Sequence, residues 1–170
     1  ENGLVDSARI RIRDRKPEIC GDDISMNLVL KDDVENVEAD IYLMTHTTNP
    51  LLSPKTLQKA LDEFNSAQIN SSADSLFTVN KIQTRFYRED ASPVNHDPDN
   101  LIPTQNLEPW FEENSNLYIF TGESFAKTQA RIGKKPKMMV TPPFESSDID
   151  TPDDWDLAVV AATYLMAKPQ

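Results

Sequence analysis

The chain has 170 residues, a net charge of −11 from 28 acidic and 17 basic side chains, 38% hydrophobic residues and one cysteine. That length suits a single domain, residues 1–170, with a sizeable core, while the acidic balance argues against a nucleic-acid or anionic membrane surface, both of which need clustered cations. No apolar run approaches the ~20 residues that span a bilayer, no signal peptide is visible, and the lone Cys20 excludes an internal disulfide framework and fits a reducing, cytoplasmic setting.

Ala8 to Arg13 alternates Arg9, Arg11 and Arg13 with Ile10 and Ile12, the period of a strand with one buried face. Ile24, Leu28 and Val29 fall near helical spacing, so a helix is expected within Ile24–Val34. Asp40 to Thr45 carries Ile41-Tyr42-Leu43-Met44, a near-continuous apolar run of the kind found in central parallel strands. Ser53 is a good N-cap with Pro54 in the first turn. Leu57, Ala60, Leu61 and Phe64 then form one apolar helical stripe. Ser75 to Val79 reads as a strand. From Lys81 to Gln105 the chain turns polar and rich in Pro, Asn and Asp, an excursion in the form of an extended arm or small antiparallel unit. Asn116 to Phe120 is a strand, Gly122 to Phe125 opens a short helix, and Met138 to Thr141 reads as another strand. Thr151 caps a last helix with Pro152 in its first turn and Asp154 at the capping-box position. Trp155, Ala158, Val159, Ala162 and Leu165 are its expected buried face. The alternation predicts an α/β fold with a largely parallel sheet, whose ligands sit at the carboxyl ends of strands.

Three constellations carry possible chemistry. Asp148-Ile149-Asp150 places two carboxylates on one side of an extended segment. Like charges held that close call for a cation, and Mg²⁺ is apt because it commonly bridges a carboxylate to a phosphate. The same residues also suit the N-terminus of the last helix, the role expected of Asp153 and Asp154. Thr45-His46-Thr47-Thr48-Asn49-Pro50 leaves the carboxyl end of an apolar strand and presents hydroxyls, an amide and an imidazole, or is an ordinary turn into the next helix. Asn114 and Tyr118, near a strand start, offer neutral donors suited to sugar hydroxyls, or lie in the core. Two histidines and one cysteine do not build a zinc site without carboxylate help. Asp-x-Asp-Thr also resembles the haloacid-dehalogenase nucleophile motif, but that motif belongs on a first strand, and only 20 residues follow Asp150.

Taken in order, Arg15-Lys16-Pro17-Glu18, Thr45 to Leu52, Asp74 to Val79, Gln105 to Pro109, Glu113 to Ile119 and Asp148 to Asp154 resemble the acylneuraminate cytidylyltransferases, the CMP-sialic acid synthetase family. The resemblance implies a three-layer, mostly parallel nucleotide-diphospho-sugar transferase (Rossmann-like) sheet. It also implies a reaction in which the 2-hydroxyl of an acidic nonulosonate attacks the α-phosphate of CTP and releases pyrophosphate. By the same resemblance Asp148 and Asp150 are catalytic Mg²⁺ ligands and Arg15 and Ser25 lie along the nucleotide. His46 stands where relatives commonly carry Gln near nucleotide and sugar, and Asn114 and Tyr118 contact the sugar. Residues 81–108 match a dimerisation arm, implying a homodimer. Thr104 replaces an Arg that in several relatives meets the sugar carboxylate, which leaves that contact to another residue such as Lys81 or Arg85. The family's opening Gly-, Arg- and Lys-rich phosphate loop has no counterpart among Gly3, Gly21, Gly122 and Gly133, so the chain is expected to be N-terminally incomplete. Three other readings stay open: a cytidylyltransferase for an acid such as 3-deoxy-manno-octulosonate, a non-catalytic subunit of the same fold, and a glycosyltransferase with an Asp-x-Asp metal motif.

Overall fold

A computed structural model describes residues 10–167. The chain divides into a unit ending at Ala39 and one beginning at Asp40. In the first, Ile10–Lys16 forms no regular structure, and Ile12 is 67% exposed. The strand expected over Ala8–Arg13 is therefore not formed by its described residues; Ala8 and Arg9 lie outside them. Alternation makes a strand only when a ladder partner is present, and here Arg13 pairs instead with Asp32 at 2.7 Å and with Asp33. Lys16 also pairs with Asp32. Asp32 belongs to helix α1 (Met26–Asn36), whose cap is Ser25, accepting from the Asn27 amide at 3.3 Å.

The second unit is an α/β assembly of the mixed-sheet, Rossmann-like type. Strands β1 (Ile41–Thr45), β2 (Ser75–Ile82), β3 (Trp110–Thr121) and β4 (Pro136–Val140) form a sheet of order β1-β3-β2-β4. β1, β2 and β4 share a direction, and β3 runs against both its neighbours. The sheet is thus mixed, and its only parallel ladder among the described residues is β2 with β4. β1 lies at one end of the order rather than in the centre, with Leu43 39% exposed. Its apolar run cannot distinguish a central strand from an end strand covered on its faces.

Helix α2 (Pro54–Ile69) forms as its stripe predicts, with Ser53 Oγ accepting from the Thr56 amide at 3.2 Å. Ala60 and Phe64 are fully buried against Leu76, Leu117, Ile119 and Met139, with Leu57 and Leu61 packed alongside. Strand alternation sends Tyr118 and Phe120 of β3 to the opposite side from Leu117 and Ile119. There Phe120 stacks on Tyr42, its register partner, and packs at a tilt against Phe125 of α3 (Gly122–Thr128). Helix α4 (Pro152–Ala167) carries the expected capping box: the Thr151 amide donates to Asp154 at 2.8 Å, and the Asp154 amide donates back to Thr151 Oγ1 at 3.3 Å. Its expected buried face is not buried. Ala158 alone is, and Trp155 and Val159 stand 60% and 49% exposed. From Leu157 to Ala167 the helix has no charged residue, so no polar stripe marks one side for the core.

β4 is seated beside β2 by Asp74, whose carboxylate accepts from the backbone amides of Lys134 and Lys135 at 2.9 and 3.0 Å. A Cβ at Gly133 would lie well inside contact distance of the Asp74 carboxylate and the Ser124 hydroxyl. Gly133→Ala is expected to destabilise the protein by about 1–3 kcal/mol, the usual cost of overpacking. A lower urea midpoint at unchanged slope will register it.

Candidate active site at the carboxyl end of β1

Between its pairs with β2, Phe77↔Tyr118 and Val79↔Glu113, strand β3 bulges. Asn114 to Leu117 there oppose the single residue Thr78. Ser115 turns into the left-handed region, φ 55°, an uncommon conformation for a residue with a Cβ. Thr78 closes the gap with its side chain, donating to Asn114 Oδ1 at 2.8 Å and accepting from the Leu117 amide at 3.0 Å. Bulges of this kind re-aim side chains beside functional sites. Here the flanks are Glu113 and Tyr118, and the Tyr118 hydroxyl reaches back to donate to Glu113 Oε1.

The turn after β1 and the segment before α4 are laced together. The Ile149 amide donates to the Thr48 carbonyl at 3.0 Å, and the Asn49 side-chain amide to the Ser147 carbonyl at 3.2 Å. Glu145 locks the approach. Its carboxylate accepts from the amide and the hydroxyl of Ser53, each at 3.0 Å, and its carbonyl accepts from Asn116 at 2.6 Å. His46 and Asp148, far apart in sequence, are thereby brought within electrostatic reach of each other.

His46 is half-buried, with an Nε2 that is buried and has no protein partner. Burial first, then the charge of Arg131, hold its pKa below the usual imidazole value; Asp148 opposes them. Asp148 has a buried, unpartnered Oδ1, whereas Asp150 is exposed. Tyr118 is buried, and burial followed by the hydrogen bond to Glu113 raises its phenol to about 12. It is therefore a neutral donor throughout the physiological range. Arg131, unnoticed in the sequence because Gln129-Ala130-Arg131-Ile132 fits no motif, lies with its guanidinium carbon 3.9 Å from the Tyr118 ring centre. It pairs with Glu113 at 3.4 Å and reaches Met44 Sδ at 3.8 Å.

The other candidates are placed differently. Asn114 is buried and engaged throughout: it accepts from Thr78, and its amide group donates to Asn80 at 3.0 Å and Thr141 at 2.7 Å. It ties β2, β3 and the segment after β4 together. In the N-terminal unit Arg15 is exposed and Ser25 serves as the α1 cap. Arg85 donates to the Ile102 carbonyl at 2.6 Å within the excursion, and Lys81 is exposed on β2.

Among the described residues no three His, Cys, Asp or Glu side chains gather into a metal cage. Mg²⁺ commonly takes one or two carboxylates and completes its shell with water and phosphate oxygens. The orphaned Oδ1 of Asp148 suits an ion shared in that way with a nucleotide.

The sequence profile of the family described as Cytidylyltransferase matches residues 3–145. Asp148 and Asp150 lie just beyond that stretch. No curated protein matches the chain at a significant level. Among solved structures the chain is similar to 4-diphosphocytidyl-2C-methyl-D-erythritol synthase from Anaerococcus prevotii. The TM-score is 0.51 and the identity 11%, over 84% of this chain and 67% of that one; at that identity the likeness is one of fold.

A histidine whose folded pKa is depressed stabilises the fold above its unfolded pKa, and that stability is lost as pH falls through the folded value. In metal-free buffer the His46 imidazole is expected to titrate below 6.5, read by its proton chemical shifts. The melting temperature will fall as pH drops below that point, and His46→Gln will flatten this part of the profile.

Proposed function

We propose, since the chain belongs to the cytidylyltransferase family, that it transfers the cytidylyl group of CTP to an acylneuraminate-type nonulosonic acid, yielding the CMP-sugar and pyrophosphate. One observation carries the reading. The segment holding Asp148 is docked on the turn holding His46, at the carboxyl end of β1, within the electrostatic field of Arg131 beside Tyr118. That is where α/β sheets place their ligands, and it brings the acidic segment of Asp148 to neutral hydrogen-bonding groups suited to a sugar.

In this reading the sugar 2-hydroxyl oxygen bonds to the α-phosphorus as the bond to the bridging oxygen breaks and pyrophosphate departs. Asp148 and Asp150 would hold Mg²⁺, which when bound neutralises phosphate charge and eases that departure. His46, kept neutral, offers Nε2 to the sugar hydroxyl and can take its proton. Tyr118 remains protonated and orients Glu113 and Arg131. Asn114 serves as the strut that fixes the bulge, not as a sugar contact. Residues 81–108 form the dimerisation arm. A small antiparallel unit around the Tyr87–Pro93 bridge, a Phe86–Trp110 stack with centroids 5.0 Å apart, and exposed Tyr87, Leu101 and Ile102 support it.

The test is pyrophosphate release by the full-length protein from CTP and Mg²⁺ with a panel of acid sugars. Turnover is expected with nine-carbon acids; turnover only with an eight-carbon acid would reassign the acceptor, and none would refute the reading. Asp148→Ala and Asp150→Ala are each expected to lower kcat at least about a hundredfold, the scale of losing one electrostatic stabiliser of a transition state. Exposed Asp150 should be replaceable without loss of melting temperature, so its variant separates catalysis from folding.

A further inference from the structure

We propose that Arg131 reads the carboxylate of the acid-sugar substrate, with Glu113 holding the guanidinium in place until that carboxylate arrives. The inference rests on the acid-sugar reading above and names the residue that makes the substrate's acidity matter. Its grounds are geometric. The guanidinium lies over the Tyr118 ring at 3.9 Å, which fixes its position by an attraction that strengthens as water is excluded. Its side chain is 20% exposed, so it is sheltered yet reachable.

Its contact with Glu113 is long at 3.4 Å, and it falls on the oxygen that also accepts from the Tyr118 hydroxyl. A guanidinium favours two parallel bonds to one carboxylate at about 2.7–2.9 Å. The Glu113 contact is therefore weaker than the one a substrate carboxylate can make. Arg131 also reaches Met44 Sδ at 3.8 Å, two residues before His46 in the chain, so a carboxylate bound there lies near the group assigned to the reacting hydroxyl. The alternatives suggested by sequence lack this setting: Arg85 is committed to the Ile102 carbonyl, and Lys81 has no stacking ring of its own among the described residues.

The experiment compares the full-length wild-type protein with its Arg131→Gln and Arg131→Lys variants, with saturating CTP and Mg²⁺, on an acid sugar and on its carboxamide analogue. Arg131→Gln is expected to raise KM for the acid sugar roughly ten- to a hundredfold, the scale of losing a hydrogen-bonded charge contact, and to leave KM for CTP within about twofold. Preference for acid over carboxamide should disappear in Arg131→Gln and return in part in Arg131→Lys, which keeps the charge but not the fork. An unchanged KM for the sugar, or a rise in KM for CTP instead, overturns the assignment and leaves the cytidylyltransferase reading standing. Absence of wild-type turnover with every acid sugar overturns the functional reading, and this inference with it. If Arg131→Gln fails to fold, as its melting curve would show, the acid-to-carboxamide preference of Arg131→Lys decides: undiminished preference refutes bidentate reading, and reduced preference supports it.

Discussion

The bulge in β3 is the constraint on which the site depends. Four residues of β3 are fitted opposite one residue of β2, and the fit is held by the hydroxyl of Thr78 and the amide of Asn114. A regular ladder through this region would alternate every side chain between two faces. The bulge instead lets Glu113 and Tyr118, five positions apart, meet by a hydrogen bond, while Leu117 and Ile119 remain in the core under α2. A left-handed Ser115 is strain of the kind found where the surroundings over-determine the backbone. Here the surroundings include a polar network of Asn114, Asn80, Thr141 and Ser146. Buried polar groups are costly unless satisfied, so this network specifies one geometry.

A second tie acts at longer range. Glu145 accepts two hydrogen bonds at the start of α2 and one from β3. The carboxylate sits where the helix presents unsatisfied N–H groups, a favourable place for negative charge. This contact delivers the Asp148 segment to the turn after β1. Core packing, helix capping and site assembly are consequently not separable in this unit, since the residue that completes the α2 cap also positions the acidic segment.

Local chemistry explains what could be read in advance. α2 and α4 announce themselves through caps that act within four residues, and both caps form as read. The core stripe Leu57-Ala60-Leu61-Phe64 is likewise a local pattern. What escaped depends on partners distant in sequence. Ile10 and Ile12 alternate correctly but have no ladder to join. The amino-terminal half of β3, Trp110 to Ser115, was not recognised because its polar, largely exposed residues give no apolar alternation. β1 lies at the end of the sheet order because order is set by pairing and not by hydropathy. In the site, His46, Tyr118 and Asp148 were legible as chemistry-bearing residues beside strand ends. Arg131 was not, because it belongs to no motif, and the part of Glu113 was not, because it arises only from contacts with Tyr118 and Arg131.

Electrostatics gives the site its selectivity problem. A chain of charge −11 must admit a triphosphate and, in the proposed reaction, a carboxylate as well. The mean field opposes both, so binding must come from local positive charge, since exposed charges beyond about 8–10 Å are largely screened. Within the site the described cation is Arg131, and the burial that shelters it also strengthens its reach to His46. A half-buried arginine stacked on a tyrosine retains strength that a solvated lysine on the rim would lose to water. The His46 pKa is depressed first by burial and then by this same charge. One guanidinium thus favours an anion beside it and adds to the burial that lowers the pKa of the neighbouring imidazole, and both conditions suit the proposed transfer to an acidic acceptor.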